Sequence, residues 1–314
     1  MTERIARFNE LIPSTLPFVE GRIEGHKERK NYSIVGPGVA EDSQQSVKIS
    51  KPHGYNLGAV SANPKNGSGL HSHTTAEVFL IYSGSWRFYW GADGANEIIL
   101  GKGDIISMPT NMFRGFENAG DEEGLIFVVL GNDDPGIITW VPNVLIKAKE
   151  TGLALLDDNS LIDLKENEIP PNRKLLEPIT YETLQKFDNY RIDEFEKFIC
   201  RFKNQTNHEI NLNNGIKLIQ IIGSGFSDKN YNAIIDHDTG FNLSILKGKQ
   251  GLIEDLVFDK PTILFSQKGN WKVKIEENEF NINSKDTFSL PLNTKISVSI
   301  DNNEDCFLNC VSKA

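Results

Sequence analysis

The chain has 314 residues, with 33 lysines and arginines against 43 aspartates and glutamates, a net charge of -10. That length suits two domains of ordinary size, and that charge sets aside nucleic acid and anionic membrane surfaces as partners, leaving small molecules and other proteins. Cys200, Cys306 and Cys310 are too few for a disulfide framework, the first residues hold no continuous apolar stretch, and no run of about 18 apolar residues occurs, so a soluble cytoplasmic protein is expected.

In chain order, residues 1–30 mix charge with proline and glycine and predict an arm ordered only by docking on something else, with His26 solvated. From Tyr32 to Leu130, short segments rich in valine, isoleucine and aromatics are broken by glycine, proline or asparagine, the pattern of an antiparallel sandwich or barrel. Asn96–Leu100, Asp104–Met108 and Leu125–Leu130 are the clearest strands. His53, beside Gly54, is expected in a turn, with approach to a barrel mouth as the alternative. His71, His73 and Glu77 lie in HSHTTAEVFLIYSG, which ends at Gly84. Residues of one parity share a face of an extended chain, so these three are predicted to converge, and two imidazoles with a carboxylate suit a divalent transition metal. Trp86, Phe88 and Trp90 alternate with Arg87 and Tyr89, which predicts core packing or, alternatively, a wall for a planar ligand.

Beyond Trp140 the texture becomes helical. Pro142 suits a first turn, Val144, Leu145 and Ala148 follow at helical spacing, and Gly152 is placed to end the helix. Polar residues 157–174, with the pair Pro170-Pro171, predict an interdomain linker, and Phe195, Phe198, Ile199 and Phe202 predict an amphipathic helix packed on a sheet. Strand texture returns near Leu218, and with it a repeat. Ile34-Val35-Gly36-Pro37-Gly38 is echoed by Ile221-Ile222-Gly223-Ser224-Gly225, Gly54-Tyr55-Asn56-Leu57 by Gly240-Phe241-Asn242-Leu243, and Gly84-Ser85-Trp86 by Gly269-Asn270-Trp271, at separations of 187, 186 and 185. Three matches in one order predict a tandem duplication: an arm over 1–30, a first β-barrel over 31–156, a linker and helical segment over 157–199, and a second barrel over 200–314.

The spacing H-x-H-x3-E-x6-G at His71, His73, Glu77 and Gly84 resembles the first motif of the cupin superfamily, and Gly103, Pro109 and Asn118 keep the intervals of its second, G-x5-P-x-G-x2-H-x3-N. With the repeat, the chain resembles a bicupin. That resemblance implies an all-β fold of two tandem jelly-roll barrels with a few short helices, and a homodimer paired through sheet edges. The glycine expected six residues before the first histidine is Lys65, with Gly67 and Gly69 nearby. The second motif's glycine is Asn111, and its histidine, the family's remaining metal ligand, is Arg114, whose guanidinium has no lone pair to give. In the second barrel Leu256, Phe258 and Thr262 stand at the positions of His71, His73 and Glu77, and Ile296 at that of Arg114. That barrel is expected to hold no metal and to serve as a structural or dimerisation partner, with His237 solvated in a loop.

Three readings of His71, His73, Glu77 and Arg114 follow. In the leading one, the two histidines and the glutamate hold Fe²⁺ and leave positions open for substrate and dioxygen, Arg114 anchors an acidic group of the substrate, and Trp86, Phe88 or Tyr89 line the pocket. Resemblance to cupin dioxygenases then implies a small anionic aromatic or enolic compound. In the second, Zn²⁺, Ni²⁺ or Mn²⁺ at the same ligands supports isomerisation, hydrolysis or decarboxylation, or the pocket binds a small acid. In the third, Arg114 pairs with Glu77, the histidines join a polar cluster, and the protein is a non-catalytic binding module. A guanidinium close to a divalent cation is unfavourable unless a carboxylate or an anionic ligand lies between them, so the metal readings carry with them either an anionic substrate or a weak site prone to lose its metal.

Overall fold

The computed structural model describes residues 4–42, 45–212 and 215–314, and these fold as an all-β, jelly-roll protein with a few short helices. The first strand, β1 (Ile5–Ala6), pairs far away, in the second barrel. The first barrel is built from β2 (Arg29–Val35), β3 (Val47–Ile49), β4 (Tyr55–Ala62), β5 (Gly67–Ser72), β6 (Glu77–Ser83), β7 (Ser85–Trp90), β8 (Asn96–Gly101), β9 (Ile105–Met108), β10 (Arg114–Asn118), β11 (Gly124–Gly131) and β12 (Thr139–Trp140). They form two facing sheets, ordered β9-β6-β11-β4-β2-β3 and β12-β5-β10-β7-β8. Helix α1 (Pro142–Thr151) follows, with Pro142 in its first turn and Gly152 as its left-handed cap at φ 97°, as the sequence predicts.

Strand β11 reads GLIFVVLG and is buried throughout. The strand has no solvated face: Val128 points into the barrel, while Phe127 points out and meets Phe265 of the second barrel with ring centroids 5.1 Å apart. One apolar cluster holds Val78, Leu80, Phe127 and Val129 together with Leu243, Ile263, Phe265 and Val311, so the two barrels share a core. A sheet covered on both faces reads as an unbroken apolar run rather than an alternation.

The connecting segment carries a hairpin, β13 (Leu153–Leu155) and β14 (Leu161–Asp163), then α2 (Tyr181–Leu184) and α3 (Ile192–Phe195). Here the structure departs from the expected helix over Phe195–Phe202. The chain passes from α3 through a 3-10 turn (Glu196–Phe198) into β15 (Ile199–Cys200), which pairs with β9 of the first barrel, before a short α4 (Phe202–Gln205). The aromatic spacing serves several contacts instead of one face: Phe195 stacks on Trp90 at 4.2 Å, while Phe198 meets His237 edge-on at 5.2 Å. An open edge on β9 offers backbone partners that a continued helix would forgo. A boundary at residue 200 therefore falls inside the first barrel's sheet, and the arm crosses the other way, with Ile5 opposite Phe288 in the second.

The second barrel comprises β16 (Ile210–Asn211), β17 (Ile216–Ile222), a hairpin of β18 (Gly225–Phe226) and β19 (Lys229–Asn230), β20 (Phe241–Leu256), β21 (Thr262–Lys268), β22 (Trp271–Ile275), β23 (Asn278–Ile282), β24 (Thr287–Ser289) and β25 (Ile296–Lys313). The long strands β20 and β25 run the whole length of the barrel and bend at register shifts near Gly248 and Ile253. The internal repeat is visible atom by atom. Gly36 and Gly223 adopt φ 69° and 66°, and a Cβ on either would lie 2.0 Å from the side-chain oxygen of Asn56 or Asn242. Those same oxygens accept from the N–H groups of Gly38 and Gly225. Trp86 and Trp271 each donate to the carbonyl three residues before them, at Ser83 and Lys268.

Gly223→Ala is accordingly expected to cost at least about 1–2 kcal/mol from the left-handed backbone alone. Urea denaturation would read this as a lower midpoint at unchanged slope; an unchanged midpoint would refute it.

Candidate metal centre

His71 lies near the end of β5, His73 just beyond it, Glu77 opens β6 and Arg114 opens β10. Residues 74–76 carry the chain from one sheet to the other. The histidines therefore approach from one wall and the glutamate from the facing one, so the convergence expected from parity is met across the barrel interior, not along one strand. Ligand atoms of His71, His73 and Glu77 all lie within 4.8 Å of one another, and the three side chains are buried. Arg114 stands opposite His71 in the β5–β10 ladder. The repeat gives the same pairing in the second barrel, where Leu256 stands opposite Ile296. There Leu256, Phe258 and Ile296 belong to an apolar core, and Thr262 is fully buried.

His71 Nδ1 donates to the Gly69 carbonyl at 2.7 Å, which leaves Nε2 with its lone pair. Among the described residues His73 has no hydrogen-bond partner at either ring nitrogen, and its Nε2 lies 3.6 Å from Glu77 Oε2. Arg114 Nε donates to that same oxygen at 3.2 Å, Nη2 stands 3.2 Å from it, and Nη1 donates to the Met112 carbonyl at 3.2 Å. Burial, reinforced by the charge of Arg114, lowers His71 to about 3 and holds His73 well below the ordinary histidine range. Both imidazoles are thus neutral at pH 7, the state a metal requires. Burial raises the Glu77 carboxyl, and the charge and hydrogen bond of Arg114 oppose that rise.

These residues fit one divalent cation. A buried imidazole with no partner is costly, and a cation among His71, His73 and Glu77 would satisfy it. Arg114 stands at the family's fourth-ligand position and shares the Glu77 carboxylate, so positive charge accumulates there and favours an anion beside the cation.

The two histidines set a pH dependence. Unfolded, each takes up a proton below about 6.5; folded, each refuses it down to far lower pH. The unfolded state then binds more protons, so stability rises with pH across that window and falls on acidification. The slope for each histidine is about 1.4 kcal/mol per pH unit, offset in part by Glu77. EDTA-treated protein is expected to show a lower urea midpoint at pH 5 than at pH 7, with a smaller difference in His71→Gln; equal differences in the two would contradict the assignment.

A cavity of about 70 Å³ adjoins the group, with Phe79, Phe116, Val128 and Leu130 as apolar lining and Trp140 beside His71. That is room for about five water-sized atoms. Trp86, Phe88 and Tyr89 do not line it. Trp86 and Phe88 fill the barrel interior behind Phe116 and Phe79, with ring centroids 5.9 and 5.1 Å from them, and Tyr89 faces the other way and donates to the Ser68 carbonyl. His53 is also remote, bonded to Ser289 between the barrels. His237 is not a free loop residue: its Nδ1 lies 2.6 Å from Ser107 Oγ. Asn118 is a corner residue whose amide donates to the carbonyls of Ala62 and Glu122.

Sequence reasoning missed the arm's contribution. Glu20 is fully buried, accepts from Arg29 Nη1, Ser68 Oγ and the Gly69 N–H, and so braces the turn that holds His71. Burial pushes its carboxyl up, but Arg29, His26, His71 and the Gly69 N–H together bring it below the usual range. His26 is drawn in too, its Nδ1 3.1 Å from the Gly67 carbonyl. In sequence these residues sit in a run of mixed charge that reads as solvated, and no periodicity marks them.

Among the described residues no helix is long and apolar enough to cross a membrane. No curated protein matches the chain. Over its whole length it is similar to solved oxalate decarboxylase structures. A variant of the Bacillus subtilis enzyme has 14% identity over 99% of this chain and 77% of that one, with a TM-score of 0.58. The Lactobacillus farciminis enzyme in its formate complex has 14% identity over 99% and 86%, with a TM-score of 0.58. A further Bacillus subtilis structure, concerned with Mn(II) centres, has 12% identity over 99% and 77%, with a TM-score of 0.57. At such identities the likeness is one of fold. Residues 59–130, the strands that carry His71, His73, Glu77 and Arg114, match the family described as the cupin domain, and these comparisons place the protein's likeness in the cupin superfamily.

Proposed function

We propose that the protein is a metal-dependent enzyme that transforms a small carboxylic acid without net oxidation, with decarboxylation as the reaction. The observation that carries this reading is His73, a buried neutral imidazole with both nitrogens unpartnered among the described residues, grouped with His71 and Glu77 beside a small cavity. Mn²⁺ is the favoured ion, from the Mn(II) centres of a structural neighbour and the nitrogen and oxygen donors present. A bound ion would supply Lewis-acid polarisation of a carboxylate oxygen.

The chain's own residues do the rest. Gly69 keeps His71 in one tautomer and orientation. Arg114 holds Glu77 in place and favours its charged form. Phe79, Phe116, Val128 and Leu130 give the cavity an apolar wall beside the reacting carbon, where fixed charges act more strongly than in water. The solved structures that the chain resembles are decarboxylases, which favours this reaction over the dioxygenase expectation.

Protein reconstituted with Mn²⁺ is expected to release carbon dioxide from oxalate or malonate without net oxygen uptake, and to stop when EDTA removes the metal. Oxygen uptake with an aromatic or enolic acid would return the function to the oxygenase class. Tight metal binding with no turnover of any small acid would overturn the enzymatic reading.

A further inference from the structure

The anchor for an anionic ligand was expected at Arg114, and the structure leaves that residue little to offer. Its Nε donates to Glu77 and its Nη1 to the Met112 carbonyl, its Nη2 stands 3.2 Å from Glu77 without a hydrogen bond, and its side chain is not part of the cavity lining. A second buried guanidinium does line the cavity. Arg29, at the start of β2, is 3% exposed, and its Nη1 is fixed by Glu20 Oε1 at 2.8 Å and by the Gly67 carbonyl at 2.9 Å. The guanidinium also lies over the Phe18 ring, 4.9 Å from its centroid. Its other two nitrogens, Nε and Nη2, are buried and have no hydrogen-bond partner among the described residues.

Nε–H and Nη2–H point the same way from one side of the planar guanidinium, and two parallel donors of this kind match the two oxygens of a carboxylate. Glu20 already uses the end of the group, so the side-on edge is held in place before any ligand arrives. Charge balance points the same way. Glu20 is matched by Arg29 and Glu77 by Arg114, so a divalent cation at His71 and His73 leaves two positive charges without counterparts. A dianion would supply them.

We propose that Arg29 is the carboxylate anchor of the cavity, its Nε–Nη2 edge receiving one end of a small dicarboxylate whose other end faces His71, His73 and Glu77. This rests on the carboxylic-acid part of the proposed function but not on turnover. The arm and first strand thus determine which acids bind, while the histidines determine the metal.

The test is calorimetric titration of the Mn²⁺-loaded full-length protein with oxalate, alongside metal analysis of each loaded sample. Arg29→Lys keeps a charge opposite Glu20 but loses the paired donors. It is expected to weaken oxalate binding on the order of tenfold, the effect of one lost hydrogen bond to a charged group, while Mn²⁺ loading stays at the wild-type level. A double variant, Glu20→Gln with Arg29→Gln, removes the buried pair together so that neither charge is stranded, and should lose oxalate binding to at least the same degree with an unchanged circular dichroism spectrum. Wild-type affinity in Arg29→Lys, failure of the wild type to bind oxalate, or loss of metal together with oxalate would each overturn the assignment. Failure of His73→Ala to alter metal content would overturn the assignment of the metal ligands instead and leave the comparison of wild type with Arg29→Lys standing.

Discussion

Arg114→Ala is expected to destabilise the metal-free protein by about 3–5 kcal/mol, the cost of removing one partner from a buried ion pair. Arg114 is 1% exposed and Glu77 is 5% exposed, so water cannot take the place of the lost guanidinium. Burial already pushes the Glu77 carboxyl up, and Arg114 opposes it, so the variant should move Glu77 further toward its neutral form and lose stability most at high pH. Two further measurements test the cause. Adding Glu77→Gln should recover much of the loss, because an amide buries no net charge, and Mn²⁺ should stabilise Arg114→Ala more than the wild type, because the cation no longer competes with a guanidinium for Glu77. A loss below about 1 kcal/mol in urea would show that Glu77 is already neutral and that no ion pair is present to break.

His73→Leu is expected to act in opposite directions in the two states of the protein. Without metal, it removes a buried imidazole that has no partner, so stability should rise by about 1–3 kcal/mol. With Mn²⁺, it removes one of three ligands, and the bound metal should fall from one equivalent to less than about a tenth, since even partners behind the ligands are worth ten- to a hundredfold in affinity. Urea midpoints in EDTA and in Mn²⁺, with elemental analysis of the loaded protein, read both effects. A variant destabilised equally in both conditions would mean that His73 is ordinary core packing. Arg114→His bears on the same centre from the other side: it restores a nitrogen donor at the fourth position, and tighter metal binding is the expected result.

Much of the fold was legible because its signals are local. Pro142 and Gly152 bracket α1 through backbone preferences that hold wherever the residues occur. The repeat was legible because identical corners need identical residues: Gly36 and Gly223 sit where a Cβ would meet the asparagine that bonds the turn. The grouping of His71, His73 and Glu77 was legible from spacing, since its members come from one short stretch of chain. Phe195–Phe202 misread as a helix because its periodicity was a coincidence of separate partners on Trp90, β9 and His237, none of them near in sequence.

The stretch from His71 to Gly84, with Arg114 in the companion motif, was enough by itself to place three ligand-type residues and a cation in one barrel and none in the other. Only the tertiary structure decided what surrounds them. Aromatic residues of β7 became barrel filling rather than pocket wall, because Phe79 of the facing sheet and Phe116 of the neighbouring strand line the cavity in their place. Glu20 and Arg29 became part of the site because a charged arm folds beneath β5, where burial leaves each charge no partner in water and makes them partners of each other. A ligand set can be written in a dozen residues of sequence; the charges that balance it are brought together only when distant segments pack.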